Sequence, residues 1–486
     1  MRLPQHGIIY CGAGSQKYSA IIFPNGLVLT TGLILLQIPI SKEVEVKLFD
    51  RNFICINDTP ELHSLQAIDF TIIKEDAHGQ LIEKTARIAF TLCSKAVEQV
   101  IKFSFGGLQF LHGDKYRYMT ECCHYFSTCL LFQYSEDNLS TANIKNFFEY
   151  LFNNIQSDLK IMDEIVCVNT PFGNEHFLNS ITYGHVANIF GRNNCLTLLN
   201  VPTAFGCEGG GVYDKQLNLR SMMLGSCFMR QGDNICFPLA INLTEIFKVS
   251  ITKVSCNVQA DHFFSKMIAS VCLVDTMNLW GTGCVFKMNN RNFVLTCSHV
   301  LGSENFIGYA KDCELQLELL FKNQIFDSAY DVALFEVRNK FDIERPVCQL
   351  ADYIPIIGQQ VYSVGFPLFK TFGLRETFKP TIFKGRVAKY LKGLVVTDCP
   401  VQVGQSGGPI FDLHDNLLAV MVSNFKSCYD GKVYPHHNMC IPMCDIYDIV
   451  KEYCETNDAA ILKKLQANRV VVDKWKLRSP EIGNKL

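Results

Sequence analysis

The sequence predicts an all-β protein built as two tandem copies of one fold, with working chemistry in the second copy and a degenerate first copy. Three observations predict it. Short runs rich in Val, Ile, Leu and Phe are closed off by glycine and asparagine turns, the pattern of strands. Two glycine-rich turns, Gly206-Cys-Glu-Gly-Gly-Gly and Gly404-Gln-Ser-Gly-Gly-Pro, stand in matching surroundings. A histidine, an aspartate and a serine lie at strand ends and turns of the second half, in that order.

At 486 residues the chain can bury two or three cores. Lys and Arg total 45 against 47 Asp and Glu, so no basic field invites nucleic acid. The longest apolar stretch, Leu27 to Leu36, is interrupted by Thr30, Thr31 and Gly32. It falls far short of the ~18 residues a membrane helix needs, so no membrane partner is expected. Arg2 is followed by only a short apolar patch before Cys11 and Gly12, too little for a secretory leader. The 22 cysteines are therefore expected as reduced thiols in a cell interior, packed as small apolar groups. Two groups mix cysteine with histidine: Cys122, Cys123, His124 and Cys129, then Cys428, His436, His437, Cys440 and Cys444. Neither has a paired C-x2-C framework, so no metal and no cofactor is expected.

Three segments carry the chemistry. Gly281-Thr-Gly-Cys-Val-Phe286, a turn at Asn289-Asn290 and Phe293-Val-Leu-Thr-Cys-Ser-His299 read as a hairpin whose second strand ends at a histidine. Ser328-Ala-Tyr-Asp331-Val-Ala-Leu-Phe places an aspartate before another apolar strand. Gly404-Gln-Ser406-Gly-Gly-Pro-Ile-Phe is a glycine turn entering a strand. A serine hydroxyl attacks only when an imidazole takes its proton, and that imidazole needs a carboxylate to fix its tautomer. His299, Asp331 and Ser406 are thus expected as base, orienting acid and nucleophile. The attacked carbonyl becomes an oxyanion that backbone N–H groups must meet, and Gly404 lets the chain turn its amides inward. The N–H groups of Gly404 and Ser406 are assigned to that oxyanion hole. Gly404-Gln-Ser-Gly-Gly408 also fits the G-x-S-x-G elbow of α/β-hydrolases, but there a helix follows and the acid and histidine come after the serine. Here strands follow, and the His and Asp come before it.

These segments resemble the HtrA/Deg branch of the trypsin-like proteases. The match rests on the apolar strand ending in Ser-His299, on Asp331-Val-Ala-Leu, on Val364-Gly-Phe-Pro367, and on Thr397-Asp398 before Gly404-Gln-Ser-Gly-Gly-Pro409. It covers residues 265 to 450. The resemblance implies a double β-barrel with protein substrates.

The second copy then reveals the first. Val28-Leu-Thr-Thr-Gly-Leu-Ile-Leu35 lines up with Val294-Leu-Thr-Cys-Ser-His-Val-Leu301, and Ala20-Ile-Ile-Phe23 with Cys284-Val-Phe286. Gly184-His-Val-Ala187 matches Gly385-Arg-Val-Ala388, and Gly206-Cys-Glu-Gly-Gly-Gly-Val-Tyr-Asp214 matches Gly404 to Asp412. Leu33 stands in place of His299 and Glu208 in place of Ser406, and neither can act as base or nucleophile. The expected fold is all-β: two tandem trypsin-like double β-barrels with few added helices, the first catalytically degenerate. The first copy is longer between its matched positions. Ile72 to Thr85 and an amphipathic helix at 142–159, with Ile144, Phe147, Phe148, Leu151, Phe152 and Ile155 on one stripe, are expected as the added parts. The domains are read as 1–250 (degenerate, with an insertion), 265–450 (active) and 451–486 (a helical end and tail). Pro400, Val401 and Val422-Ser-Asn424 read equally as walls of the first specificity pocket or as core.

The chain finishes Asn484-Lys485-Leu486, which resembles the Ser-Lys-Leu peroxisomal address. Asn484 departs from the usual small residue. Together with the degenerate copy, this ending resembles the family of trypsin-domain peroxisomal proteases that remove leader peptides. That resemblance implies a place in the peroxisome matrix, or otherwise the cytoplasm, and an import receptor that reads the C-terminus. It also implies substrates among imported fatty-acid oxidation enzymes, cleaved at presequences or internal sites, and self-processing. A homo-oligomer is left open. Two other readings stand beside it: a general HtrA-like quality-control protease, and a non-enzymatic pair of peptide-binding scaffolds. The stretch after residue 450 is too short for the PDZ module of many HtrA-like proteases, which counts against the first.

Overall fold

The structure, a computed structural model, describes residues 4–50, 52–56, 59–112, 115–136, 159–230, 233–248, 264–276, 279–301, 306–310, 313–323, 330–339, 347–367, 380–426, 432–466 and 469–475. They form two compact units, Met1–Val258 and Gln259–Leu486.

The first unit contains β1 (Gln5–Tyr10), β2 (Tyr18–Ile22), β3 (Val28–Thr31), β4 (Phe53–Cys55), β5 (Phe70–Glu75), β6 (Leu81–Cys93), β7 (Gln109–His112), β8 (Lys115–Tyr118) and β9 (Thr128–Tyr134). Then come β10 (Glu164–Asn169), β11 (Ser180–Phe190), β12 (Leu196–Asn200), β13 (Gly211–Asp214), β14 (Leu219–Arg230) and β15 (Asp233–Asn242). One sheet runs β4-β6-β5-β1-β2-β3-β9, and β6 pairs again with β9, closing a barrel. The other runs β13-β10-β11-β12-β15-β14-β7-β8 and closes through β13 and β14. Closure leaves no unpaired edge on the barrel itself. The interior of the second barrel is apolar, with Ile165, Val186, Leu199, Val212 and Met223 in one cluster.

The second unit contains β16 (Val271–Thr276), β17 (Trp280–Met288), β18 (Arg291–Thr296), β19 (Phe306–Ala310), β20 (Cys313–Leu315), β21 (Leu317–Lys322), β22 (Ala333–Val337) and β23 (Gln349–Leu350). It continues with β24 (Gln360–Gly365), β25 (Thr381–Leu391), β26 (Leu394–Thr397), β27 (Pro409–Phe411), β28 (Asn416–Lys426) and β29 (Val433–Pro442). Its first sheet is β20-β19-β16-β17-β18-β22-β21. The second is β23-β28-β27-β24-β25-β26-β29, closed by β28 on β29. The expected turn is present: Met288 pairs with Arg291, and Asn289 and Asn290 take φ of 49° and 58°. Two successive positive φ values make the twisted two-residue turn for which asparagine is suited.

The tandem architecture agrees with the sequence expectation, and the two units repeat one another in detail. β11 and β25 carry the same bulge, after Val186 and after Val387. One expectation is corrected. Ile72 to Thr85 are not an insertion: they belong to β5, β6 and the turn joining them, and β5 pairs with β1 as β19 pairs with β16. The added parts within the described residues are short helices such as Lys42–Asp50 and Lys95–Val100, and the β7–β8 hairpin laid on β14. The expected helix at 142–159 lies, apart from residue 159, outside the described residues.

The expected helical end is Met443–Thr456, Ala459–Leu462 and Arg469–Trp475. The first stops at Asn457, whose left-handed φ of 61° lets its N–H bond Tyr453 O. Among the described residues no helix is long and apolar enough to cross a membrane.

Candidate active site

Strand β18 delivers the histidine. A single 3-10 turn, Ser298–Val300, follows it and holds His299 at the barrel end. Ser298 ties this turn to the aspartate segment: its Oγ donates to Val332 O at 2.6 Å and accepts the Asn323 N–H at 3.1 Å. The requirement for a small hydroxyl residue before the histidine thus has a physical reason. It brings Asp331, just ahead of β22, against the imidazole. Asp331 Oδ1 accepts the His299 backbone N–H at 3.0 Å, and Oδ2 bonds His299 Nδ1. A carboxylate can only accept, so Nδ1 carries the proton and Nε2 is left as the basic nitrogen. The imidazole is 41% exposed and open to a reactant, while the carboxylate beneath it is 24% exposed.

The serine loop is held by its glycines. Gly404 has φ of 97°, and a Cβ there would lie 2.4 Å from Phe366 O and 2.5 Å from Trp280 Nε1. Gly407, at φ 82°, would place a Cβ 2.2 Å from both Thr282 O and Thr296 Oγ1. No other residue type fits either position. Among the described residues the N–H groups of Gly404 and Ser406 have no protein acceptor, whereas those of Gln405, Gly407 and Gly408 are bonded to Gln402, Met421 and Gln405 carbonyls. Two unclaimed donors, one of them the serine's own N–H, can receive a developing oxyanion. Ser406 Oγ bonds Val422 O at 3.1 Å, and no hydrogen bond joins it to His299. The histidine–aspartate pair is therefore assembled, and the serine hydroxyl is engaged elsewhere.

One residue that sequence reasoning passed over organises this loop. Thr282, fully buried on β17, donates through Oγ1 to Gly404 O at 2.8 Å and accepts the Phe366 N–H at 3.1 Å. Its backbone N–H holds Ser406 O at 2.8 Å. Both carbonyls flanking the nucleophile turn are pinned by one residue. Val401 belongs to the core of the closed barrel, packed with Val387, Val395, Ile410 and Met421, so core is the reading that holds for it. Asn424 reaches back through Nδ2 to Val401 O at 3.0 Å.

Cys297, His299 and Asp331 bring possible metal-ligating atoms within 4.8 Å of one another. All three side chains are already engaged within the protein. Burial pushes the Cys297 thiol well up, with the Asp331 charge adding to it, and its S–H donates a hydrogen bond to Met421 O at 3.1 Å. A thiol kept protonated is a poor ligand.

The first unit shows what has been lost. Ser19 takes the part of Thr282: its Oγ donates to Gly206 O at 2.6 Å and accepts the Thr170 N–H at 2.8 Å. Thr30 bonds Ser19 O as Thr296 bonds Thr282 O, each at 2.7 Å. Gly206 and Gly209, at φ of 88° and 87°, reproduce Gly404 and Gly407. Leu33, buried, stands where His299 stands. The pairing register of β3 with β9, matched to that of β18 with β22, puts Thr128 at the position of Asp331. Glu208 folds back into its own turn, with Oε2 accepting the Gly206 N–H at 2.8 Å and Oε1 accepting from Ser226 Oγ at 3.2 Å. The donor equivalent to the Gly404 amide is thus already occupied by the chain's own carboxyl. Burial pushes that carboxyl above its ordinary range. A groove beside it is lined by Leu33, Phe126, Phe205, Glu208, Cys227 and Phe228.

The terminal residues Asn484, Lys485 and Leu486 lie outside the described residues.

Comparison with known proteins adds to this geometry. Residues 281–420 match the trypsin-like peptidase domain family. The human peroxisomal leader peptide-processing protease is 24% identical over 65% of this chain and 60% of its own. The mouse protein of the same name is 28% identical over 44% of this chain and 38% of its own. The chain thus spans less than two thirds of the length of either relative. Protease Do-like 1 of Arabidopsis thaliana chloroplasts is 24% identical over 29% of this chain and 32% of its own. A solved serine endoprotease from Yersinia pestis aligns with 42% of this chain and 69% of its own, at 16% identity and a TM-score of 0.32.

Proposed function

We propose that the second unit is a serine endopeptidase in which Ser406 attacks the scissile carbonyl, His299 is general base and then acid, and Asp331 orients it. The single observation that carries this is the doubly bonded His299–Asp331 pair, which leaves Nε2 as base on the same domain as the glycine-framed Ser406. Substrate arrival moves the Ser406 hydroxyl from Val422 O to His299 Nε2. The Oγ proton passes to Nε2, Oγ bonds the carbonyl carbon, and the oxyanion meets the Gly404 and Ser406 N–H groups. The imidazolium then returns its proton to the departing amine, and water repeats the sequence on the acyl-enzyme.

The biological setting follows the named relatives. We infer that the chain works in the peroxisome matrix, addressed by Asn484-Lys485-Leu486 through an import receptor. There it cleaves leader peptides or internal sites of imported fatty-acid oxidation enzymes, and itself. Residues 1–250 serve as a non-catalytic copy, 265–450 as the protease and 451–486 as the tail. The likeness to the chloroplast Do-like protease supports a second reading, a general quality-control protease. Incubating full-length protein with presequence-bearing peroxisomal precursors and with denatured casein, then mapping new N-termini by mass spectrometry, separates the two. Single cuts near presequences support processing. Many cuts in casein with intact precursors support quality control.

A further inference from the structure

In the first unit, beside the Glu208 turn, the hairpin of β14 and β15 sets two cysteines face to face. Cys227 and Cys236 are direct register partners across this antiparallel pair. Opposed residues of such a pair have Cα atoms about 4.5–5.5 Å apart, inside the roughly 4.4–6.8 Å span of a disulfide. Next along the strands, Phe228 and Ile235 are buried and paired, so the hairpin that presents the cysteines is fixed in place. Cys236 is exposed and Cys227 half-buried, unlike fully buried thiols such as Cys129, Cys167 and Cys440. We propose that Cys227 and Cys236 are a reversible dithiol–disulfide site, oxidised by a low-molecular-weight disulfide that reaches Cys236 first.

The electrostatics agree with this order. A hydrogen bond from Cys227 draws the Cys236 thiol down to about 7 against the opposing effect of burial. The same contact, and then burial, pushes Cys227 up. Cys236 is therefore the attacking thiolate near neutral pH and Cys227 the resolving thiol. The Cys236 thiolate attacks one sulfur of the small disulfide, whose S–S bond breaks and releases one small thiolate. Cys227 then gives its proton to solvent and attacks the Cys236 sulfur, expelling the second small thiolate. Two protein thiols are oxidised and one small disulfide is reduced to two small thiols. Cys227 also lines the groove beside Glu208, and Ser226 Oγ lies 3.8 Å from its sulfur while bonding Glu208. Oxidation therefore changes the wall of the first unit's groove.

The test uses the full chain equilibrated in glutathione buffers of graded oxidised-to-reduced ratio, acid-quenched, alkylated and mapped peptide by peptide. The expected result is a linked 227–236 peptide pair, lighter by two hydrogens, that appears as the ratio rises and vanishes on return to reducing buffer. Cys11, half-exposed and paired with no other cysteine across a strand among the described residues, stays alkylatable at ratios that oxidise the pair. Cys227→Ser should stop at a glutathione adduct on Cys236, and Cys236→Ser should leave Cys227 alkylatable. The proposal is overturned if both cysteines stay alkylatable at ratios that oxidise Cys11. It is also overturned if Cys227→Ser gives no adduct while circular dichroism shows it folded.

Discussion

Replacing Thr282 by valine keeps the shape of a buried side chain and removes one oxygen. That oxygen is the hydrogen-bond partner of both Gly404 O and the Phe366 N–H. Leaving a buried backbone group unpaired costs about 1–3 kcal/mol, so two such groups should lower stability by about 2–6 kcal/mol. The same loss frees the carbonyl side of the oxyanion turn. Outright removal of an oxyanion donor costs about 2.7–4 kcal/mol, and a displaced one somewhat less, so kcat should fall about ten- to a hundredfold. The first unit supplies the control. Ser19→Ala deletes the equivalent bonds to Gly206 O and the Thr170 N–H and should cost similar stability. It should leave kcat unchanged, because the first turn has no nucleophile. The assay pairs urea unfolding with hydrolysis of a peptide ester at a temperature where both variants remain folded. The reasoning fails if Thr282→Val unfolds at the wild-type urea concentration, or if the two variants lower kcat equally.

Three further outcomes are expected. Glu208 has a folded-state pKa raised by burial, so the folded protein keeps a proton that the unfolded chain has lost; stability should fall as pH rises from the ordinary carboxyl value of 4.5 towards the raised one. Glu208→Gln should flatten that slope in urea midpoints measured across the window, with peptide hydrolysis retained. Asp331→Asn should cut kcat by about 10⁴ while KM changes little, because the imidazole loses the acceptor that sets its tautomer. Deleting Asn484 to Leu486 should leave the purified protein active and move a fluorescent N-terminal fusion from peroxisomes to the cytosol; unchanged import would remove the address from the account.

The parts of the fold legible in the sequence are those where one residue type alone is tolerated. The turns at Gly404 and Gly407, and their counterparts Gly206 and Gly209, combine positive φ with neighbours that exclude a Cβ, so the repeat survives there as plain identity. The same holds for Asn289-Asn290, where two positive φ values demand short polar side chains. Strands tolerate many apolar residues, and there the copies have drifted. This is why β5 and β6 read as an insertion, although β5 pairs with β1 as an integral barrel strand. The lost aspartate position was illegible for a similar reason. Thr128 matches Asp331 only through the pairing registers of two strands. Thr282 was missed because the oxygen it holds belongs to Gly404, far along the chain, and a threonine in Gly281-Thr-Gly is an ordinary strand residue. Cys227 and Cys236 gained meaning from register as well: in sequence they are two among 22 cysteines.

The central claim is that the second unit holds the nucleophile and that the first cannot. A fluorophosphonate probe reacts with an activated serine and stays attached, so it reads the claim without any assumption about substrate. Full-length protein, Ser406→Ala and His299→Ala would be labelled in parallel, and the adducts mapped by peptide mass. One adduct is expected, on Ser406 in the wild type, absent in Ser406→Ala and reduced by orders of magnitude in His299→Ala, with none in residues 1–258. An adduct that persists in Ser406→Ala, or one on any serine of the first unit, would contradict it.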